Sequence, residues 1–195
     1  QVAAHADDIA YNNHDIDDGL RAGLFTLTEL REAAPMVGRV VDGVERDYPD
    51  VAEGRVVAEA VRRLIGEWAD DLVSETERRV AELKPKSAED VRAAGAPLVG
   101  FSDALREDEA VLRRFLMKRM YRHWKVNRSR SLAKRVLKQL FELLLAEPEL
   151  LPPDWQLGGD GAGGRKTARR VCDYIAGMTD DYALDEHRRL FSLDR

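Results

Sequence analysis

From Val51 to Leu83 the sequence reads VAEGRVVAEAVRRLIGEWADDLVSETERRVAEL, and its apolar residues Val57, Val61, Leu64, Ile65, Trp68, Leu72 and Val80 recur chiefly at intervals of three and four. That spacing lays one apolar stripe along a helix. Pro49 precedes the stretch and Pro85 follows it, bounding a long helix with Gly66 as the place where an interruption is expected. Towards the N-terminus, Val2, Ala6, Ile9, Ile16 and Leu20 repeat the period and predict a helix from the first residue to about Phe25. Towards the C-terminus, Ser87 with Asp90 reads as a capping pair for a short helix, and Ser102 with Asp103 opens another through Leu112, Phe115, Leu116 and Met120. Leu132, Val136, Leu137, Leu140, Phe141 and Leu144 predict a helix from Ser131 to Ala146, stopped by Pro148. Residues 152–164 read as a loop, and Thr167 to Ala176 and Asp185 to Phe191 as two closing helices, the first capped by Gly177. Strand alternation and internal repeats are lacking in the sequence, so the expected fold is all-α, an irregular multi-helix bundle.

Composition narrows the class. The 195 residues are 44% hydrophobic and 34% charged, too apolar for a disordered chain and too charged for a membrane bundle. The longest apolar run, around Leu143 to Ala146, is far below the length of a membrane span. Cys172 is the only cysteine, which excludes an internal disulfide and a multi-cysteine metal site and suits a reducing, cytoplasmic setting. Between Val171 and Ile175 it reads as a small core residue. A net charge of -5 excludes a generic polyanion binder. The chain opens at Gln1, without Met and inside a helical pattern, and so reads as a fragment.

Three patterns could carry chemistry. Asp7, Tyr11, Asp15 and Asp18 follow at intervals of four and three on the face of the first helix opposite Val2, Ile9 and Ile16. A solvated face would look the same, but carboxylates clustered without Lys or Arg repel one another and gain from a cation. His14-Asp15 is an HD dipeptide without an upstream His at workable distance, and His5, His123 and His187 have no partner at ligand spacing. From Ala110 to Phe141 there is no acidic residue but eleven Lys and Arg, among them Arg113, Lys134 and Lys138. Arg113 and Tyr121, eight apart, lie near one helical face, where a cation for phosphate and a ring for a base or sugar could converge. A basic surface without function and a nucleic-acid surface are the other readings of that stretch. Gly159 to Thr167 approaches a phosphate-binding loop, but Arg165 stands where the Lys belongs and no strand precedes it, so it reads as a surface loop.

Ala6-Asp7-Asp8-Ile9-Ala10-Tyr11-Asn12-Asn13-His14-Asp15-Ile16-Asp17-Asp18-Gly19-Leu20-Arg21-Ala22-Gly23-Leu24 closely resembles the bacterial dGTPase-like deoxynucleotide triphosphohydrolases of the HD-domain superfamily. Met120-Tyr121-Arg122-His123 and Asp173-Tyr174-Ile175-Ala176-Gly177-Met178-Thr179-Asp180 agree in order. The resemblance implies the C-terminal part of a larger helical enzyme that converts a dNTP, dGTP favoured, and water to a deoxynucleoside and tripolyphosphate with a divalent metal ion such as Mg or Mn. It implies Asp7 as the final metal ligand, Tyr11 and Asp15 at the deoxyribose, Arg113 on the triphosphate and Tyr121 beside the nucleoside. A mammalian relative carries Lys where Asp8 stands, which puts one phosphate contact in doubt. On this reading residues 1–30 end the HD-type catalytic core and 31–195 form a helical region completing the nucleotide pocket. The upstream His, the HD pair and the catalytic His are then expected before Gln1, so that the isolated chain is inactive. The expected partners are the missing N-terminal half, a dNTP and further copies in a homo-oligomer, with nucleic acid secondary and no membrane. The alternative is a basic helical nucleic-acid-binding or oligomerisation module.

Overall fold

A computed structural model describes residues 1–192. Among them are ten α-helices, a π-helical turn and a 3-10 turn, and no strand, so the all-α expectation holds. The chain divides into two compact units, Gln1–His123 and Trp124–Arg195, each of which has its own packing.

The first unit is built around α1 (Val2–Arg21) and α4 (Glu53–Leu83), which pack on each other. Ile9 and Ile16 of α1 are buried, as are Val56, Val57, Ala60, Leu64, Trp68 and Leu72 of α4. The apolar period therefore faces the core as far as Leu72, with Val61 and Ile65 half-buried at its edge, whereas Val80 in the last turns is exposed because α4 runs on past the helices that cover it. Helix α4 runs through Gly66 without a break, because a lone glycine with open space around it weakens a helix but does not end it. Helix α1 stops at Arg21, four residues short of the expected end. Gly23 takes a left-handed φ of 60°, Gly23 N–H donates to Leu20 O (3.0 Å) and Leu24 N–H to Gly19 O (2.9 Å). This paired closure turns the chain so that Leu24 and Phe25 fold into the core instead of extending the helix.

Two helices between Phe25 and Pro49 complete the layer. Thr26 and Glu29 form a reciprocal capping box for α2 (Leu27–Ala33), and Pro35 starts α3 (Pro35–Asp47). Val37, Val40, Val41 and Val44 of α3 are buried, and α3 packs on α2 and α4. Helix α5 (Ala88–Ala93) is capped by Ser87 with Asp90, as read from the sequence. Helix α6 (Asp103–Leu116) begins at Ser102, whose N–H and hydroxyl both donate to Asp71 of α4, and continues into the π turn Met117–Tyr121.

In the second unit α7 (Trp124–Ala146) packs on α9 (Arg165–Ala176) and α10 (Asp180–Phe191), with α8 (Pro153–Gln156) as one turn inside the expected loop. Helix α7 starts seven residues before Ser131. Its first half is mostly exposed, so burial imposes an apolar period only from Val136 onwards. Helix α10 starts at Asp180, behind the Thr179 cap and five residues before Asp185. Gly177 does cap α9, in a right-handed conformation. Cys172 is exposed, not in the core, because the inward face of α9 is taken by Thr167, Val171 and Tyr174.

Candidate functional site

The polar face of α1 and the end of α6 enclose a cavity of about 370 Å³ within the first unit. Helix α1 contributes Asp8, Tyr11, Asn12 and Asp15, which at 100° per residue share one flank of the helix. Helix α6 and its π turn contribute Arg113, Leu116, Met117 and Tyr121. The four expected substrate residues, Tyr11, Asp15, Arg113 and Tyr121, thus meet at one cavity. Phe25 packs edge-on against Phe115 with centroids 5.0 Å apart, and so holds the far end of α1 to α6.

The π turn matters for this convergence. Continued α-helix would leave Tyr121 about 80° around the axis from Arg113. A wider i→i+5 turn, closed by Arg122 N–H on Met117 O at 3.1 Å, takes up extra chain and swings Tyr121 back towards the Arg113 face. There the Tyr121 hydroxyl donates to Asp15 Oδ2. Burial, with the hydrogen bond to Asp15 second and its charge third, pushes the phenol up to about 12. It is therefore a protonated donor at neutral pH, and Asp15 keeps its remaining lone pairs for a ligand. Tyr11, one turn before Asp15, is 66% exposed, an aromatic face presented at the rim.

Asp7 lies on the neighbouring flank of α1, exposed and outside the lining of the cavity. It makes no ion pair with a described residue. An exposed carboxylate is the oxygen donor that a hard divalent cation takes, so Asp7 fits as one ligand of a shared site. Among the described residues no three His, Cys, Asp or Glu side chains stand together as a metal site.

Two residues of the site had no reading in the sequence. Asn12 is buried and donates from Nδ2 to Asp8 O (2.9 Å) and to Glu109 Oε1 (3.3 Å). Glu109 also accepts from Arg113 Nη1 at 3.3 Å. The available signal was the i,i+4 spacing of Glu109 and Arg113 at the edge of the acid-free stretch. Elsewhere in that stretch Arg119 pairs with Glu29, and Lys125 and Arg128 lie over the Trp124 ring. The glycine-rich loop is closed by its own anion: Asp160 accepts from Lys166 N–H (3.2 Å) and Thr167 N–H (3.0 Å) at the start of α9. Those backbone bonds also hold the Asp160 carboxyl below its ordinary value. Two of the amides that a phosphate would use at the start of α9 are thereby taken, which agrees with the surface-loop reading.

Residues 99–189 match the family model of a phosphohydrolase-associated domain. The chain is 60% identical, over 99% of its length, to a deoxyguanosinetriphosphate triphosphohydrolase-like protein of Parvibaculum lavamentivorans, of which it covers 48%. Proteins of the same name from Caulobacter sp. strain K31 and Azorhizobium caulinodans are each 54% identical, over 100% and 98% of the chain and 49% and 47% of their own lengths. Along its whole length the chain is similar to deoxyguanosinetriphosphate triphosphohydrolase-like proteins. It spans about half the length of the curated relatives it matches. The family-model match covers α6 to α10, so the cavity takes its Arg113 side from inside that match and its α1 side from outside it. The Asp173 to Asp180 block lies in the second unit: Tyr174 is buried, Gly177 ends α9, and the Thr179 hydroxyl accepts from Tyr182 N–H (3.3 Å).

Proposed function

We propose that this chain forms part of the substrate pocket of a metal-dependent dNTP triphosphohydrolase, in which dNTP and water give a deoxynucleoside and tripolyphosphate, with dGTP favoured. The convergence of Tyr11, Asp15, Arg113 and Tyr121 on one cavity carries this reading. In the reaction the bond between the 5′ oxygen and the α-phosphorus breaks, water supplies the new oxygen on tripolyphosphate, and the nucleoside oxygen takes a proton. Asp15 accepts a sugar hydroxyl, while the Tyr11 and Tyr121 rings crowd the sugar and so favour deoxyribose. Arg113 offers N–H donors to the phosphate oxygens. Asp8 and Asp15 make the lining acidic, so it suits the nucleoside end better than the phosphate end, and Arg113 marks where the phosphates begin. Asp7 would supply one carboxylate ligand to a divalent ion such as Mg or Mn, and the chemistry that ion would bring is polarisation of a phosphoryl oxygen and activation of water.

The remaining ligands, an upstream His and an HD pair, belong on this reading to a preceding half of the same protein. The working enzyme is a cytoplasmic homo-oligomer, a setting compatible with an exposed lone Cys172 and with described helices none of which is long and apolar enough to cross a membrane. The deciding experiment measures metal content and dNTP hydrolysis in the longest natural protein that carries this chain. Asp7→Ala should remove the metal and nearly all activity, whereas Asp18→Ala should do little. Loss of metal from Asp18→Ala but not from Asp7→Ala would show that the ligand register on α1 is wrong.

A further inference from the structure

We infer that Glu109 is a positioning residue, one that acts on the ligand through Arg113; the inference rests on the nucleotide reading of the cavity. A Glu four residues before an Arg is common on helix surfaces and worth little there. This one differs in its surroundings. The Glu109 side chain is only 13% exposed, whereas that of Arg113 is 64% exposed. A solvent-facing guanidinium on a long stem loses rotamer freedom when it must meet a ligand. Glu109 limits that freedom in advance by accepting from Nη1 at 3.3 Å, and leaves the other guanidinium N–H groups available.

The same Oε1 accepts from Asn12, which is 8% exposed and has its other amide hydrogen on Asp8 O. One carboxylate thus ties α6 to the middle of α1 and fixes the arginine relative to Asp8 and Asp15 across the cavity. Charge alone would favour its removal: Asp8, Asp15 and Glu109 outnumber Arg113 around a cavity that is to take an anion. A carboxylate kept there against electrostatics is explained by the geometry it imposes. Positioning and simple repulsion therefore predict opposite signs, and a purely structural tie predicts a third pattern.

The test uses the longest natural protein that carries this chain, assayed for dNTP turnover and for inhibition by tripolyphosphate. Glu109→Ala should raise both KM and the tripolyphosphate inhibition constant about tenfold. Glu109→Gln, which still offers an oxygen to Asn12, should fall between Glu109→Ala and the unsubstituted protein. In an Arg113→Ala background Glu109→Ala should add nothing to either constant. A lower KM for Glu109→Gln would make Glu109 a repulsive bystander. An equal loss with and without Arg113 would make it a structural tie only, and either result overturns the inference. Absence of dNTP binding and turnover in the unsubstituted protein, with metal supplied, would instead refute the nucleotide reading and this inference with it.

Discussion

Arg113 differs from the other cations of the acid-free stretch in what surrounds it, not in its charge. It lines a cavity and is held by Glu109, whereas Lys134 is exposed and Lys138 pairs at 3.7 Å with exposed Glu142. Losing a hydrogen bond to a charged group costs about ten- to a hundredfold in equilibrium terms, while an exposed cation costs under about fivefold. In the complete protein Arg113→Ala should therefore weaken dNTP turnover far more than Lys134→Ala or Lys138→Ala, measured as kcat/KM at fixed salt. Tyr121→Ala should impair dNTP use through the nucleoside and leave tripolyphosphate inhibition nearly intact. Equal small losses in all four variants, each weakened alike by salt, would indicate a diffuse polyanion surface.

At the level of elements, the cavity depends on how α1, α4 and α6 are fastened together. A Cβ on Gly19 would stand 2.2 Å from Phe25 Cε1, and that ring is buried against Phe115. Gly19→Ala should lower stability by about 1–3 kcal/mol through overpacking, whereas Gly66→Ala, with open space around it in mid-helix, should raise it by about 0.5–1 kcal/mol. Thermal melts of the two variants decide this, and similar shifts would contradict the packing. Helix α4 grips the approach to α6 through Arg79, whose guanidinium donates to Phe101 O at 3.0 Å and Pro97 O at 3.3 Å. Glu75 orients it, and the hydrogen bonds of Arg78 and Arg79 hold the Glu75 carboxyl down at about 2 against an ordinary 4.5. A depressed acid contributes stability above its unfolded pKa and loses it as pH falls through the folded one. The melting temperature of the parent should exceed that of Glu75→Gln at pH 7, and the gap should close between about pH 4.5 and 2.

For the whole molecule, a single carboxylate cannot fix a divalent ion in a defined geometry. The 195-residue chain by itself should hydrolyse no dNTP and bind Mn only weakly, whereas the longest natural protein that carries it should do both; isothermal titration with Mn and a deoxynucleoside assay compare them. Turnover of dGTP by the isolated chain, free of longer forms, would overturn the role given to Asp7.

Helix periods, proline boundaries and capping pairs act within a turn or two of chain, and so the sequence by itself determined the all-α class, the long α4 and the acidic flank of α1. It also carried the likeness to deoxyguanosinetriphosphate triphosphohydrolase-like proteins, through motifs that stand as contiguous strings. The weaker local signals, the Thr26 to Glu29 box and the exposed first half of α7, carried too little apolar period to mark their helices. Only the tertiary structure brought Asp15 to Tyr121 across 106 residues and Asn12 to Glu109 across 97. Those contacts depend on the crossing of α1 with α6 and on a π turn that rotates one side chain, and neither leaves a local pattern, because residues this far apart in the chain meet only when the core has packed.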